Sequence, residues 1–405
     1  MLKRIVFFLL IFSLPFQLGY HFWLPESYVA SFRIDYLAPT FYITDLLLIL
    51  FLAVNFKKTT SVVIDFFSKP SGWLFAALIF VNLYASSFSL VTFFAWLRLG
   101  SYLLLLTVLA TTDHLAKKVL LPFFLSLIFI ISLSVIQFVL QSSLGGLFYF
   151  LGERPLSIAI PNVAKINLPW GQMLRPYATF SHPNSLAGYL LVSLVILSLI
   201  YQGKKLAKAP LGLAILLTFS KAALLSFIVI EILEIGFIQS LLVSILLSLA
   251  PLFKDLIDLP AWLVQSFTTR RFLLLPAFKM IANELLLGVG LKQFIPSLAA
   301  YLPASQISYT TLQPVHHTFV LMFAELGLLG VAIVTKIFWA PLSRLIKDKK
   351  ARPYLLNLFG IILLTGSLDH YWWTLPQNQL IIVLTLALII NQSSKNSNAL
   401  SRNHH

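Results

Sequence analysis

Arg33, Arg175, Lys221, Arg270, Arg271, His316, His317, Asp369 and His370 set the chemical question. All but Asp369 are cationic or can become so, and they come from five separate segments at the ends of apolar stretches. Cations gathered from such positions would form an anion-binding site at a membrane surface. A neutral imidazole, with an ordinary pKa near 6.5, suits proton abstraction at neutral pH, and His316 follows directly after a long polar loop. The plainer readings are cationic side chains snorkelling to an interface and a histidine pair satisfied by backbone or water at a helix start.

Three further ionisable groups, Asp45, Arg98 and Glu325, fall within apolar stretches, where an unpaired charge is costly. Arg98 is therefore expected to face the bundle interior and to pair with Asp45 or Glu325. The other reading of Glu325 is a protonated side chain in a helix–helix contact.

Several chemistries lack their residues. With no cysteine there is no disulfide, thiolate metal site or Cys nucleophile. No HExxH, DxD or P-loop occurs, so no metal and no cofactor is implied. Asp255 and Asp258, separated by two residues in a loop, read as a solvated turn, and His404-His405 as part of a polar end.

The elements that must position these groups are membrane helices. Of 405 residues, 59% are hydrophobic and 11% charged, with a mean hydropathy of +0.90, far beyond what one soluble core requires. Apolar stretches place spans at roughly 5–23, 41–55, 72–88, 91–111, 119–141, 184–201, 209–219, 222–235, 237–252, 316–340, 353–369 and 377–391. The fold expected is an all-α polytopic bundle of about twelve helices: one transmembrane domain over 1–391 and a polar tail over 392–405. Residues 5–14 read as a first span and not as a cleaved leader, because no small-residue cleavage site follows them.

The net charge of +15 is a topology signal before it is a nucleic-acid signal. With both termini cytoplasmic, Lys3, Arg4, Lys57, Lys58, Lys69, Lys117, Lys118, Lys204, Lys205, Lys208, Arg344, Lys347, Lys349, Lys350, Arg352, Lys395 and Arg402 lie inside. The long loops 142–183 and 253–315 then lie outside, with the candidate site. Reading 209–235 as one helix would reverse every later segment and export the cluster 344–352, so a break is expected near Ser220-Lys221.

Four ordered motifs resemble a known family. Arg175-Pro-Tyr-Ala-Thr-Phe-Ser-His182-Pro-Asn184-Ser-Leu-Ala-Gly188-Tyr-Leu is followed by Leu217-Thr-Phe-Ser220-Lys221. Pro276–Phe294 then contains Gly288-Val-Gly290, and Val315-His316-His317-Thr-Phe leads to Ala324-Glu325-Leu-Gly327-Leu-Leu-Gly330. These are similar to the corresponding elements of the O-antigen ligase and polymerase superfamily. Leu368-Asp369-His370-Tyr-Trp-Trp-Thr-Leu-Pro-Gln377 resembles a segment of some members.

The resemblance implies a bacterial inner-membrane glycosyltransferase of cell-envelope polysaccharide or lipopolysaccharide biosynthesis. It would move a glycan from polyprenyl (undecaprenyl) diphosphate to a hydroxyl on a glycan, lipid or protein, at the outer face, without metal and with inversion. It puts the catalytic base at His316 and the diphosphate-binding cations at Arg175, Lys221 and Arg270 or Arg271, with His182, Asn184, His317, Asp369, His370, Arg98 and Glu325 in support. Lys221 stands where the family usually has Arg, keeping charge but losing a bidentate fork, and His317 stands in the usual Asn place. The alternatives are a repeat-unit polymerase of the same superfamily, a transporter or flippase of lipid-linked glycan, and a structural membrane subunit.

Overall fold

The computed structural model describes residues 1–201, 209–232, 236–253 and 261–402. Lys204, Lys205, Lys208, Asp255, Asp258, His404 and His405 lie outside the described residues. The chain is mostly helical, 70% against 5% strand, so strands serve only to order loops.

Helix α1 (Leu2–Phe12) is shorter than the first expected span. Pro15 cannot continue the helical hydrogen bonding, and the chain turns into β1 (Gly19–His21). A small hairpin, β2 (Tyr28–Val29) with β3 (Phe32–Arg33), follows, and β4 (Thr40–Tyr42) pairs antiparallel with β1. Helix α2 (Ile43–Val54) bends by 90° into α3 (Phe56–Phe67), a helix where the expected spans 41–55 and 72–88 leave a connecting segment. Then come α4 (Pro70–Ala85), α5 (Leu90–Ala110) and α6 (Leu115–Leu140). The loop 142–183 carries the hairpin β5 (Lys165–Leu168) and β6 (Gly171–Leu174).

Helix α7 (Pro183–Ile200) is the centre of the bundle: every residue from Ser185 to Leu197 is buried, against α6, α8 (Ala209–Leu217), α9 (Lys221–Phe227), α14 (Arg352–Gly366) and α16 (Pro376–Arg402). The expected break lies between α8 and α9, where Phe219 takes a left-handed φ of 49°. After α10 (Phe237–Leu249), the expected loop 253–315 contains a long helix, α11 (Ala261–Asn283). Its Leu273, Leu274, Ala277 and Met280 form one buried stripe, joined in a cluster with α12 (Phe294–Leu298) and the start of α13 (Thr318–Lys347). The four-residue α15 (Tyr371–Thr374) precedes α16, which continues to Arg402, so the expected tail 392–405 begins inside a helix.

Among the described residues, α5, α6, α7 and α13 are long and apolar enough to cross a membrane, or five spans if α2 and α3 count as one bent span. Four shorter apolar helices accompany them, at Pro70–Ala85, Lys221–Ile230, Phe237–Leu252 and Arg352–Gly366. The chain is an integral membrane protein, and among the described residues four or five full-length spans stand against the twelve expected. Apolar windows in the sequence run on through turns, caps and short helices that cannot individually cover about 30 Å.

Two glycine contacts position the later elements. Gly327 interrupts α13 with φ 63° and ψ −177°, a backbone conformation open essentially to glycine. The freed groups are taken up by the preceding loop: Leu328 N donates to Leu285 O at 2.8 Å, Leu329 N to Leu286 O at 3.0 Å, and Ala324 O and Glu325 O accept from Val289 N and Gly290 N. A Cβ on Gly327 would lie 2.4 Å from Gly288 N, so the GVGL and AELGLLG motifs form one interlocked joint. On α7, a Cβ at Gly188 would come within 2.5 Å of the Tyr371 ring, so glycine there is what lets α15 lie against α7.

Candidate active site

His182 is the N-cap of α7, its Nδ1 accepting Asn184 N at 3.1 Å, with Pro183 as the first helical residue. Asn184 bridges two charges. Its Oδ1 accepts from Arg175 Nη2 at 2.7 Å, and its Nδ2 donates to Asp369 Oδ2 at 2.8 Å. Arg175 Nε also donates to Thr218 O at 2.6 Å, a carbonyl left without a helical partner where α8 ends. The break in the 209–235 region thus supplies an acceptor for Arg175 and sets Lys221 at the start of α9, near enough to Arg270 and Arg175 to feel their charges.

Asp369 ties the C-terminal elements to α13. Its Oδ1 accepts His370 N at 2.8 Å, and its carbonyl accepts Thr318 N at 3.0 Å and Thr318 Oγ1 at 2.8 Å. This clasp brings the residue preceding α13 by two, His316, against His370: the rings meet edge to face with centroids 5.4 Å apart. Arg270 donates through Nε and Nη2 to Leu368 O, both at 3.3 Å. Of the adjacent pair Arg270 and Arg271, Arg270 is the one directed at this turn; consecutive helical side chains diverge by about 100°.

Arg175, His182, Asn184, His316, Asp369, His370 and Arg270 therefore converge from four parts of the chain. His317 turns away: it caps α13, Nδ1 accepting Val320 N at 3.3 Å, while Nε2 meets Ser248 Oγ of α10 at 2.8 Å. Arg98 pairs with Asp45 at 2.9 Å and with the Thr40 carbonyl, and not with Glu325. Glu325 instead accepts the Trp373 indole N–H at 2.6 Å, with Lys292 nearby. Arg33 lies over the exposed Trp23 ring, 4.5 Å from its centroid.

The sequence reading missed Tyr36, whose ring packs edge to face on His370 at 5.6 Å, and Arg154, which donates to Ser181 O at 3.2 Å beside His182. Neither sits in a motif; the basic residue at 154 in a loop rich in turn formers was the one signal on offer.

Burial dominates the electrostatics. It pushes the imidazoles of His182 and His370 down to about 4 and about 3 against the opposing pull of Asp369, and lowers His316 for the same reason. Burial alone would raise the Asp369 carboxyl, but His370, His316, His182 and the Asn184 amide bring it to about 2. Arg175, lowered to about 10 by burial, remains charged at neutral pH. The cluster thus presents neutral imidazoles, one carboxylate and fixed guanidinium groups. Among the described residues no group of three or more His, Cys, Asp or Glu side chains is placed to hold a metal ion.

Comparison with known proteins gives one match: residues 178–335 fit a protein-family model described as O-antigen ligase. No curated protein and no solved structure matches the chain. The matched segment contains His182, Asn184, Lys221, Arg270 and His316, and its joint, break and helix caps are the features that bring those residues together. Through this segment the chain is similar to the O-antigen ligase family.

Proposed function

We propose that this protein is a metal-independent, inverting glycosyltransferase that moves a glycan from a polyprenyl (undecaprenyl) diphosphate donor to a hydroxyl acceptor at the outer face of the bacterial inner membrane. The observation that carries this reading is the convergence of Arg175 and Arg270 with the facing imidazoles His316 and His370 around Asp369. Breaking the sugar–phosphate bond leaves negative charge on the diphosphate. Fixed guanidinium groups stabilise that charge most where water is partly excluded. Lys221 adds a point charge.

The acceptor oxygen attacks the anomeric carbon as its proton passes to an imidazole of the facing pair. The electron pair of the breaking carbon–oxygen bond leaves with the diphosphate, and configuration inverts. The family match supports the donor and acceptor classes, and the excess of Lys and Arg in the segments assigned inside supports the sidedness.

The test is reconstitution in proteoliposomes with a labelled polyprenyl-diphosphate oligosaccharide and candidate hydroxyl acceptors, sizing the products. One added glycan identifies a ligase and a ladder a repeat-unit polymerase. Redistribution of donor between leaflets with no new covalent bond would sink the transferase reading in favour of a flippase.

A further inference from the structure

Tyr36 and Arg154 flank the histidine cluster, and neither lies in the segment 178–335 that matches the family. Tyr36 belongs to the turn Asp35–Leu37. Its neighbours Ile34 and Leu37 are each 2% exposed, locked into the apolar cluster that joins α11, α12 and the start of α13. The tyrosine between them is 37% exposed, and its ring meets His370. A fixed backbone thus presents a partly open aromatic ring at the edge of the candidate site.

Arg154 is held from both sides. The Glu153 carboxylate accepts Gln137 Nε2 at 2.8 Å, Leu144 N at 2.9 Å and Gly145 N at 2.8 Å, and Leu156 N donates to Ser143 Oγ at 3.0 Å. Arg154 itself is exposed and donates to Ser181 O, the carbonyl preceding His182. Among the described residues it forms no ion pair. Glu153 is occupied by its own loop, and Asp35, the carboxylate felt by His21 and Tyr36, does not pair with it.

The cations of the site fall into two groups with different neighbours. Lys221 feels Arg270 and Arg175, whereas the charge of Arg154 is felt by His21, Tyr36, Tyr177 and His182. His182 feels Arg175 as well, so it stands where the groups meet. Inversion requires the attacking oxygen and the departing diphosphate to occupy opposite faces of the anomeric carbon. With the diphosphate on Arg175, Arg270 and Lys221, the acceptor approaches past the other group.

We infer that Tyr36 and Arg154 form the acceptor subsite, the Tyr36 ring stacking on a pyranose face and Arg154 holding an oxyanion, carboxylate or phosphate, carried by the acceptor glycan. The inference rests on the glycosyl-transfer reading and names the acceptor's chemical class. A pyranose turns C–H bonds outward on its faces and hydroxyls at its rim, so a partly exposed phenol ring gives it an apolar floor beside the imidazoles. The planar guanidinium fork matches two oxygens of a carboxylate or a phosphate, and a stem already anchored through Glu153 loses little freedom on binding.

The experiment measures transfer in proteoliposomes from a labelled polyprenyl-diphosphate oligosaccharide to the acceptor found by reconstitution, with methyl glucoside, methyl glucuronide and methyl glucoside 6-phosphate as competitors. Against the wild type, at least one acidic glycoside should compete about 10–100-fold better than methyl glucoside, the scale of one charge-assisted contact, and the better of the two identifies the group as carboxylate or phosphate. Arg154→Gln should raise the acceptor KM by about the same factor and erase that preference, with donor KM and kcat little changed, and Arg154→Lys should recover part of it. Tyr36→Ala should raise the acceptor KM about 3–10-fold, and Tyr36→Phe should not. Equal competition by the three glycosides, or an Arg154→Gln effect on donor KM or kcat in place of acceptor KM, would overturn the subsite while leaving glycosyl transfer intact. Should Arg154→Gln fail to fold, the competition series on wild type and Arg154→Lys decides by the same criterion. Failure of the wild type to form any product defeats the transfer reading instead; saturation-transfer NMR of the three glycosides on detergent-solubilised wild type and Arg154→Gln then judges the subsite alone. An acid-specific signal lost in the variant upholds it, and equal signals overturn it.

Discussion

Arg98 and Arg175 are both guanidinium groups drawn in among helices, yet their surroundings are opposite. Arg98 meets the Asp45 carboxylate directly at 2.9 Å, and Asp45 in turn accepts Tyr42 N at the start of α2, so the charges cancel and the strand–helix junction is pinned. Arg175 meets a carbonyl and an amide, and reaches Asp369 only through Asn184. Its positive charge is held in place without being neutralised on contact. The first arrangement is complete in itself; the second leaves a cation that, under the proposed function, receives the diphosphate.

The two arginines should therefore fail differently. Arg175→Ala is expected to lower kcat by about 10²–10³-fold, the scale for removing one fixed donor aimed at developing charge. Arg175→Lys should recover part of the loss, since it keeps the charge and one of the two directed contacts; turnover assays on folded protein read both.

Arg98→Ala should instead cost on the order of 2–3 kcal/mol of stability, because it leaves the mostly buried Asp45 carboxylate without its partner. Thermal unfolding in detergent should show partial rescue by Asp45→Ala and none by Glu325→Ala. Rescue by Glu325→Ala would erase the distinction drawn here.

The glycines sharpen the same contrast. Gly188→Ala places a methyl group against Tyr371 and should reduce activity more than stability, by shifting α15 and His370. Gly327→Ala puts a Cβ on a positive-φ backbone, 2.4 Å from Gly288 N, and should cost about 1–3 kcal/mol with no effect confined to the site.

The smallest effect is pH-linked. His182 and His370 have folded-state pKa values of about 4 and about 3, below the 6.5 of the unfolded chain. Between about pH 4 and 6.5 the unfolded state binds protons that the folded state refuses, so stability rises with pH across that window and falls on acidification. Asp369 opposes nothing there, since its own contribution is lost only below 3.8 as pH falls toward 2. Melting temperatures measured from pH 4 to 7 should slope upward, and less so in His370→Asn.

Much of this was legible from residue order. Topology grouped Arg175, His316 and Asp369 on one side, the family resemblance added Asn184 as a supporting residue, and positive-inside reasoning located the break that gives Arg175 its Thr218 acceptor. Helix α11 was readable in principle, since Leu273, Leu274, Ala277 and Met280 follow a helical period, but Arg270, Arg271, Lys279 and Pro276 lower its hydropathy to that of a loop. The contact of Tyr36 with His370 was not legible: it depends on a pairing, β1 with β4, whose strands are three residues long and carry no clear alternation. The choice between Arg270 and Arg271 depends on helical phase, and that between Asp45 and Glu325 on which helices neighbour α5.

The burial of α7 has a mechanical consequence. A helix sheathed by other helices on every side does not touch acyl chains, so a thicker or thinner bilayer has to be accommodated by tilt or adjustment of the rim helices. The relative placement of His182, Asn184 and the residues docked on them is thereby insulated from membrane thickness, and the same spacing can persist across bilayers whose thickness differs by several ångströms.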